Sequence, residues 1–229
     1  MAYNPFSLKG KTILVTGASS GIGRGIAIEC SKMGAKMVIN GRNLDRLNET
    51  LGMLEGEGHI VIPVDLSSQD GIDSLVSQCP EINGFVPCAG IPKIGNVKHI
   101  SRKDIIDIVE INEIVPILLM STLLRKKKLQ KKSSIVFIAS LSGIFVANAG
   151  DSLYSTTKGA ISGFAKGAAL ELAAQGTRVN TLYPGLTPTS ILEQSKELFS
   201  MEHLMKSTKG KFPLNRLGKP EDIAYGWSQ

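Results

Sequence analysis

The chain has 229 residues, 42% hydrophobic and 20% charged, which suffices for one large core and leaves too little for two comfortable ones. Its longest apolar stretches, such as 114–120 and 135–139, fall far short of the roughly 20 residues a membrane span needs, and no charged-then-apolar leader opens it; no membrane partner and a cytoplasmic location are expected. The net charge of +6 admits an anionic partner, while the three cysteines, Cys30, Cys79 and Cys88, fit neither a metal-ligand spacing nor a disulfide framework.

In chain order, short β-branched runs alternate with longer amphipathic stretches: strand 11–16, helix 22–33, strand 36–40, helix 44–55, strand 60–64 and helix 69–78. Strand 82–86 follows, then two helical stretches across 101–128, strand 135–140, helix 153–174 and strand 178–183. The basic run from Arg125 to Lys132 reads as a solvated helix end, with recruitment of an acidic partner such as a carrier protein or nucleic acid as the weaker alternative. Six strands alternating with helices predict an α/β fold with a doubly wound parallel sheet, covered on both faces in three layers, α/β/α. Residues 1–229 read as one domain, interrupted late by a polar, Met-containing stretch at 187–216.

Between the first strand and its helix lies Thr16-Gly17-Ala18-Ser19-Ser20-Gly21-Ile22-Gly23. Gly17 suits a tight turn, Gly21 a close main-chain approach to a pyrophosphate, and Gly23 close packing of helix on strand. The helix N-terminus offers N–H groups to the anion, with Ser19 and Ser20 as further donors. After the second strand, Asn40-Gly41-Arg42 carries no acid to bind a ribose and repel a 2′-phosphate, whereas Arg42 presents a planar donor fork. NADP(H) is therefore expected over NAD(H).

Tyr154 and Lys158 stand four apart in a helical stretch and share one face. Spacing alone would leave them an ordinary helix surface. Their place after the fifth strand, whose end carries Ser140, puts them at the carboxyl edge of the sheet near the nucleotide. A phenol titrates near pH 10, and a nearby cation lowers that by about 1–3 units, so Lys158 is expected to lower the pKa of Tyr154. Ser140 would hold a substrate oxygen against the phenol.

The chain resembles the single-domain short-chain dehydrogenases/reductases, similar to 3-oxoacyl-acyl-carrier-protein reductases. The resemblance rests on the glycine motif, Asp65-Leu66, Asn112, Ser140, Tyr154-x-x-x-Lys158, Pro184-Gly185 with Thr189, and the late segment 216–224. It implies a catalytic set of Asn112, Ser140, Tyr154 and Lys158, with Asn112 holding a water in the proton relay. The cofactor would be held by Gly17, Ser19, Ser20, Gly21, Ile22, Gly23, Arg42, Asp65, Leu66, Ala89, Gly90, Tyr154, Lys158, Pro184, Gly185 and Thr189, with Asp65 on the adenine. It also implies a substrate lid over about 187–216, lined by Leu198, Phe199, Met201 and Met205 or merely packed by them. A small-molecule carbonyl or alcohol substrate, carrier-linked or not, and a homo-oligomer, dimer or tetramer, complete the implied picture; no metal is expected.

Three departures from the family pattern stand out. Pro87-Cys88-Ala89-Gly90 replaces Asn-Asn-Ala-Gly, the interval from Ser140 to Tyr154 is one residue longer, and Tyr225 to Gln229 stands where the remainder of a helix and a seventh strand usually follow. A six-stranded sheet is expected. The leading function is NAD(P)-dependent reduction of a ketone or 3-oxoacyl carbonyl. The alternative is a nucleotide-binding sensor or scaffold with the same fold and little catalysis, motivated by Pro87-Cys88 and the short end.

Overall fold

Six strands form a parallel sheet: β1 (Thr12–Thr16), β2 (Lys36–Asn40), β3 (Ile60–Ile62), β4 (Ile82–Pro87), β5 (Leu129–Ile138) and β6 (Arg178–Leu182), in the order β3-β2-β1-β4-β5-β6. Between them run α1 (Gly21–Lys32), α2 (Leu44–Leu51), α3 (Gln69–Gln78), α4 (Arg102–Val109), α5 (Val115–Arg125) and α6 (Ser152–Leu172), and α7 (Pro220–Trp227) comes last. The computed structural model describes residues 4–188 and 214–227. Among the described residues the sheet has six strands, and no helix is long and apolar enough to cross a membrane.

Alternation along each strand divides the core in two. Leu14, Val38, Ile62, Phe85 and Phe137 face one way, into a cluster with Leu75 of α3, Leu119 of α5 and Ile161 of α6. Ile13, Val15, Met37, Ile39 and Val136 face the other way, against Ile26 of α1, Leu47 of α2 and Ala224 of α7. Both faces of the strands are thus buried, as the near-continuous apolar runs demand, and the layers are α/β/α.

Chain order along the sheet reverses between β1 and β4, and the loops leaving their carboxyl ends diverge there. In an open parallel sheet this is where a ligand crevice forms.

Three expected boundaries shift, each for a local reason. The second helix stops at Leu51; beyond Gly52, Met53 and Leu54 make only tighter bonds to carbonyls three residues back. Strand β3 ends at Ile62 because Pro63 has no N–H for the ladder, and Asn40 Nδ2 takes the carbonyls of Ile62 and Val64 at 2.9 and 3.0 Å. The two helical stretches after β4 join without a break through a π-helical turn, Glu110–Ile114.

The reading of the basic run as a helix end needs correction. Arg125 is the last helical residue, Lys127 turns the chain with φ 54°, and Lys128 Nζ donates to Cys79 O at 2.5 Å. Leu129, buried opposite Ile82, already belongs to β5, and the register jumps so that Gly84 next pairs with Ser134. Residues 130–132 are exposed between these pairs, while Ser133 is buried. Burial of one leucine in the sheet, invisible to periodicity, pulled the strand start six residues ahead of 135.

The late segment is anchored beside the glycine-rich turn. Asp222 takes both Arg216 nitrogens, at 2.6 and 3.0 Å, and Lys219 N at 2.8 Å. Gly218 N donates to Leu186 O at 3.0 Å, and a Cβ on Gly25 of α1 would lie 2.6 Å from Pro220 Cβ, so α7 lies hard against α1.

Candidate active site

Where the loops after β1 and β4 meet, Gly17 adopts φ 65°, and a Cβ there would lie 2.8 Å from Ala89 Cα and N. Thr16 Oγ1, buried, accepts from Cys88 N and Ala89 N, both at 3.2 Å. That hydroxyl ties the two strand ends across the crevice. A Cβ on Gly23 would stand 2.4 Å from Gly17 O, so the first turn of α1 presses directly on the loop and leaves its N-terminus facing the crevice. Ser20 is the N-cap of α1. Ile22 is half-buried and packs its side chain against the core.

Ser19 lies against Gly41, where a Cβ would be 3.3 Å from Ser19 Oγ; the turn therefore neighbours the end of β2 and Arg42. Arg42 is exposed and has no side-chain partner among the described residues. Arg24, by contrast, is consumed structurally. Its guanidinium donates to Ser19 O at 2.6 Å, Thr50 Oγ1 at 2.9 Å, Arg46 O at 3.2 Å and Glu49 Oε2 at 2.9 Å. Sequence reasoning passed over Arg24, whose partners other than Ser19 come from α2, a separate helix.

After β3, Asp65 is exposed and its carboxylate accepts from Ser67 N at 3.0 Å. Leu66 turns its side chain into the core, so its main chain alone reaches the crevice side.

Asn112 is buried in the π-helical turn and spends its amide on the loop after β4: Oδ1 accepts from Ile91 N at 2.8 Å, and Nδ2 donates to Ile91 O at 3.0 Å and Thr157 Oγ1 at 3.3 Å. Gly90 is pressed between them; a Cβ there would lie 3.2 Å from Asn112 Oδ1 and 3.9 Å from Lys158 Nζ. The wider turn lets one helix both swing Asn112 toward Ile91 and keep its apolar stripe on the core.

Lys158 is buried on α6 and donates to Ile138 O, at the end of β5, at 2.8 Å. Its Nζ lies 5.6 Å from the Tyr154 ring centroid. Burial lowers the lysine to about 8, slightly offset by the neighbouring Cys88. For Tyr154 the expected lowering fails: burial and the Asp151 carboxylate, opposed by a hydrogen bond with Ser140, push the phenol up to about 12. Burial is the largest of these causes. Cys88 is itself pushed up to about 12 by burial, against the pull of Lys158.

Ser140 stands at the end of β5 and its Oγ accepts from Ser142 N at 3.1 Å. Leu141 N donates to Pro184 O at 3.1 Å, setting Pro184 and Gly185 alongside. The structure thus brings Gly90, Asn112, Ser140, Tyr154, Lys158 and Pro184 together on the same side as the glycine-rich turn. Thr189, Leu198, Phe199, Met201, Met205 and nearly all of 187–216 lie outside the described residues. Among the described residues no cluster of His, Cys, Asp or Glu could hold a metal.

The family model described as short chain dehydrogenase matches residues 11–198. The 3-oxoacyl-[acyl-carrier-protein] reductase FabG of Rickettsia prowazekii is 30% identical over 218 residues, 95% of this chain and 88% of its own. A dehydrogenase/reductase of Sinorhizobium meliloti 1021 superimposes with TM-score 0.88 at 26% identity, covering 98% of this chain and 88% of its own. A 3-ketoacyl-(acyl-carrier-protein) reductase of Brucella melitensis, solved with NADH, does so with TM-score 0.83 at 27% identity, covering 96% and 90%.

Proposed function

Since the chain belongs to the short-chain dehydrogenase family and is on that footing an NAD(P)-dependent oxidoreductase, we propose that it reduces a ketone or 3-oxoacyl carbonyl to a secondary alcohol with NADPH, Tyr154 serving as acid and base. The observation carrying this reading is the convergence of Ser140, Tyr154 and Lys158 beside the loop that Asn112 holds.

The residues fit a dinucleotide. The turn from Gly17 to Gly23 is a cradle that side chains would fill, and the N-terminus of α1 supplies main-chain donors suited to a pyrophosphate. Arg42 would take a 2′-phosphate, Asp65 and the main chain of Leu66 the adenine side, and Ala89, Gly90, Pro184, Gly185 and Thr189 the nicotinamide half. When bound, the cofactor supplies the hydride that the carbonyl carbon accepts.

Ser140 would donate a hydrogen bond to the substrate oxygen, keeping its own proton, its Oγ already held from behind by Ser142 N. Tyr154 would pass its phenolic proton to the same oxygen as the alcohol forms. Lys158, fixed by Ile138 O, would favour the phenolate left behind and bind the ribose. Both amide hydrogens of Asn112 are already used, so a relay water would take its main-chain carbonyl.

Residues 1–229 act as one cytoplasmic domain; most of the expected lid, about 187–216, lies outside the described residues. The substrate is a small molecule, free or carrier-linked. Assembly is a homo-oligomer, supported by the outward-facing Ile106 and Leu170 on α4 and α6. Tyr154→Phe should abolish NADPH consumption with acetoacetyl-coenzyme A while sparing cofactor affinity by calorimetry; near-normal turnover would overturn the assignment.

A further inference from the structure

The start of α6 departs from ordinary capping. Asp151 is its N-cap, where an aspartate usually accepts from a main-chain N–H of the first turn, yet its carboxylate makes no such bond. It accepts instead from Ser142 Oγ at 3.0 Å and Asn148 Nδ2 at 3.3 Å, and Asn148 Nδ2 also donates to Ser142 Oγ at 3.3 Å. Two residues of the loop between β5 and α6, Ser142 and Asn148, thus meet on that one carboxylate.

From there the contacts lead inward. Ser142, buried, donates its N–H to Ser140 Oγ at 3.1 Å, and Ser140 stands close enough to the Tyr154 phenol to pull its pKa down. Asp151 and Tyr154 lie three apart on the helix, so the chain of contacts ends one turn from where it began. A Cβ on Gly143, at φ 91°, would lie 2.2 Å from Ser155 O, so the loop is pressed onto the helix and the ring is compact.

Among the described residues three titratable groups face Tyr154: Lys158 from the next turn of α6, Cys88 from the loop after β4, and Asp151. Burial keeps the Cys88 thiol protonated, which leaves Asp151 as the anion of the three at neutral pH. A nearby negative charge disfavours a phenolate and favours the phenol.

We propose that Asp151 is a positioning residue: turned from its helix onto Ser142 and Asn148, it holds Ser140 against Tyr154 and keeps the phenol proton-bearing, suiting the site to carbonyl reduction over alcohol oxidation. This rests on the reading of Tyr154 as the acid and base.

The test compares the pH profiles of kcat/KM for the parent, Asp151→Asn, Asp151→Glu and Ser142→Ala, with acetoacetyl-coenzyme A and NADPH in one direction and 3-hydroxybutyryl-coenzyme A and NADP in the other. Asp151→Asn retains an acceptor for Ser142 and loses the charge. Its Tyr154 limb should fall by ~0.5–1 pH unit, raising oxidation on the acid side of that limb ~3–10-fold. Asp151→Glu should retain the parental limb, and Ser142→Ala should lower kcat/KM in both directions without moving it. Ultraviolet titration of the phenol with NADP present, parent minus Tyr154→Phe, reads the same midpoint even if neither thioester is turned over. An unmoved midpoint in Asp151→Asn, with Tyr154→Phe inactive, overturns this inference alone. An active Tyr154→Phe overturns the acid–base reading beneath it.

Discussion

Substituting Gly17 by alanine tests the contact between the two strand ends. At φ 65° a residue with a side chain costs about 1–2 kcal/mol. The new Cβ would lie 2.8 Å from Ala89 Cα and N and 2.9 Å from Cys88 C, all main-chain atoms that cannot rotate aside. Relief requires the loop after β4 to move by roughly half an ångström, and such overpacking costs about 1–3 kcal/mol. The same movement stretches both bonds to Thr16 Oγ1, now 3.2 Å, and shifts Gly90 against Asn112 and Lys158. Together the loss is about 2–5 kcal/mol, or roughly 6–15 °C in Tm at about 3 °C per kcal/mol for a chain of this size. Thermal unfolding by circular dichroism and NADPH calorimetry should show lower Tm and weakened binding together. Gly167→Ala is the control: that helical glycine is exposed, with no atom within 4 Å of its Cβ position, and the change should stabilise by about 0.5–1 kcal/mol. A Gly17→Ala protein with parental Tm and parental affinity would refute the reasoning.

Further outcomes follow from charge and burial. Arg42→Ala should weaken NADPH binding ~10–100-fold and leave NADH nearly unchanged, as expected for one charge-assisted pair; equal losses by calorimetry would count against a 2′-phosphate contact. Lys158 is lowered in the fold to about 8, so between that value and its ordinary 10.5 the unfolded chain holds more protons, and its contribution to stability rises with pH. Lys158→Met should remove turnover, and its Tm difference from the parent should shift in the parent's favour as pH rises through that window. Cys79 and Cys88 are raised by burial to about 11 and about 12 from 9.0, so the stability they lend is complete below pH 9 and is lost as pH climbs through those values. Mass spectrometry after iodoacetamide at neutral pH should find Cys30, Cys79 and Cys88 unmodified in the folded protein and all three labelled in urea.

Much of the molecule could be read from residue order because its physics is local. Strand and helix periods, the turn from Gly17 to Gly23, and the four-residue spacing of Tyr154 and Lys158 are short-range patterns, and the number and chain order of the six strands, the layers and the glycine cradle follow those patterns. The start of β5 at Leu129, the spent guanidinium of Arg24 and the amide of Asn112 paired with Ile91 were decided by neighbours 21 to 47 residues away. Periodicity carries no record of such partners. The same holds for the charge state of the phenol. Sequence placed Lys158 beside Tyr154 and predicted a lowered pKa, but the closing of the fold strips water from the ring, and that burial, added to the charge of Asp151 one turn earlier, raises it instead. Residue spacing thus determined which groups meet; the water excluded around them, which only tertiary packing sets, decided what each is poised to do.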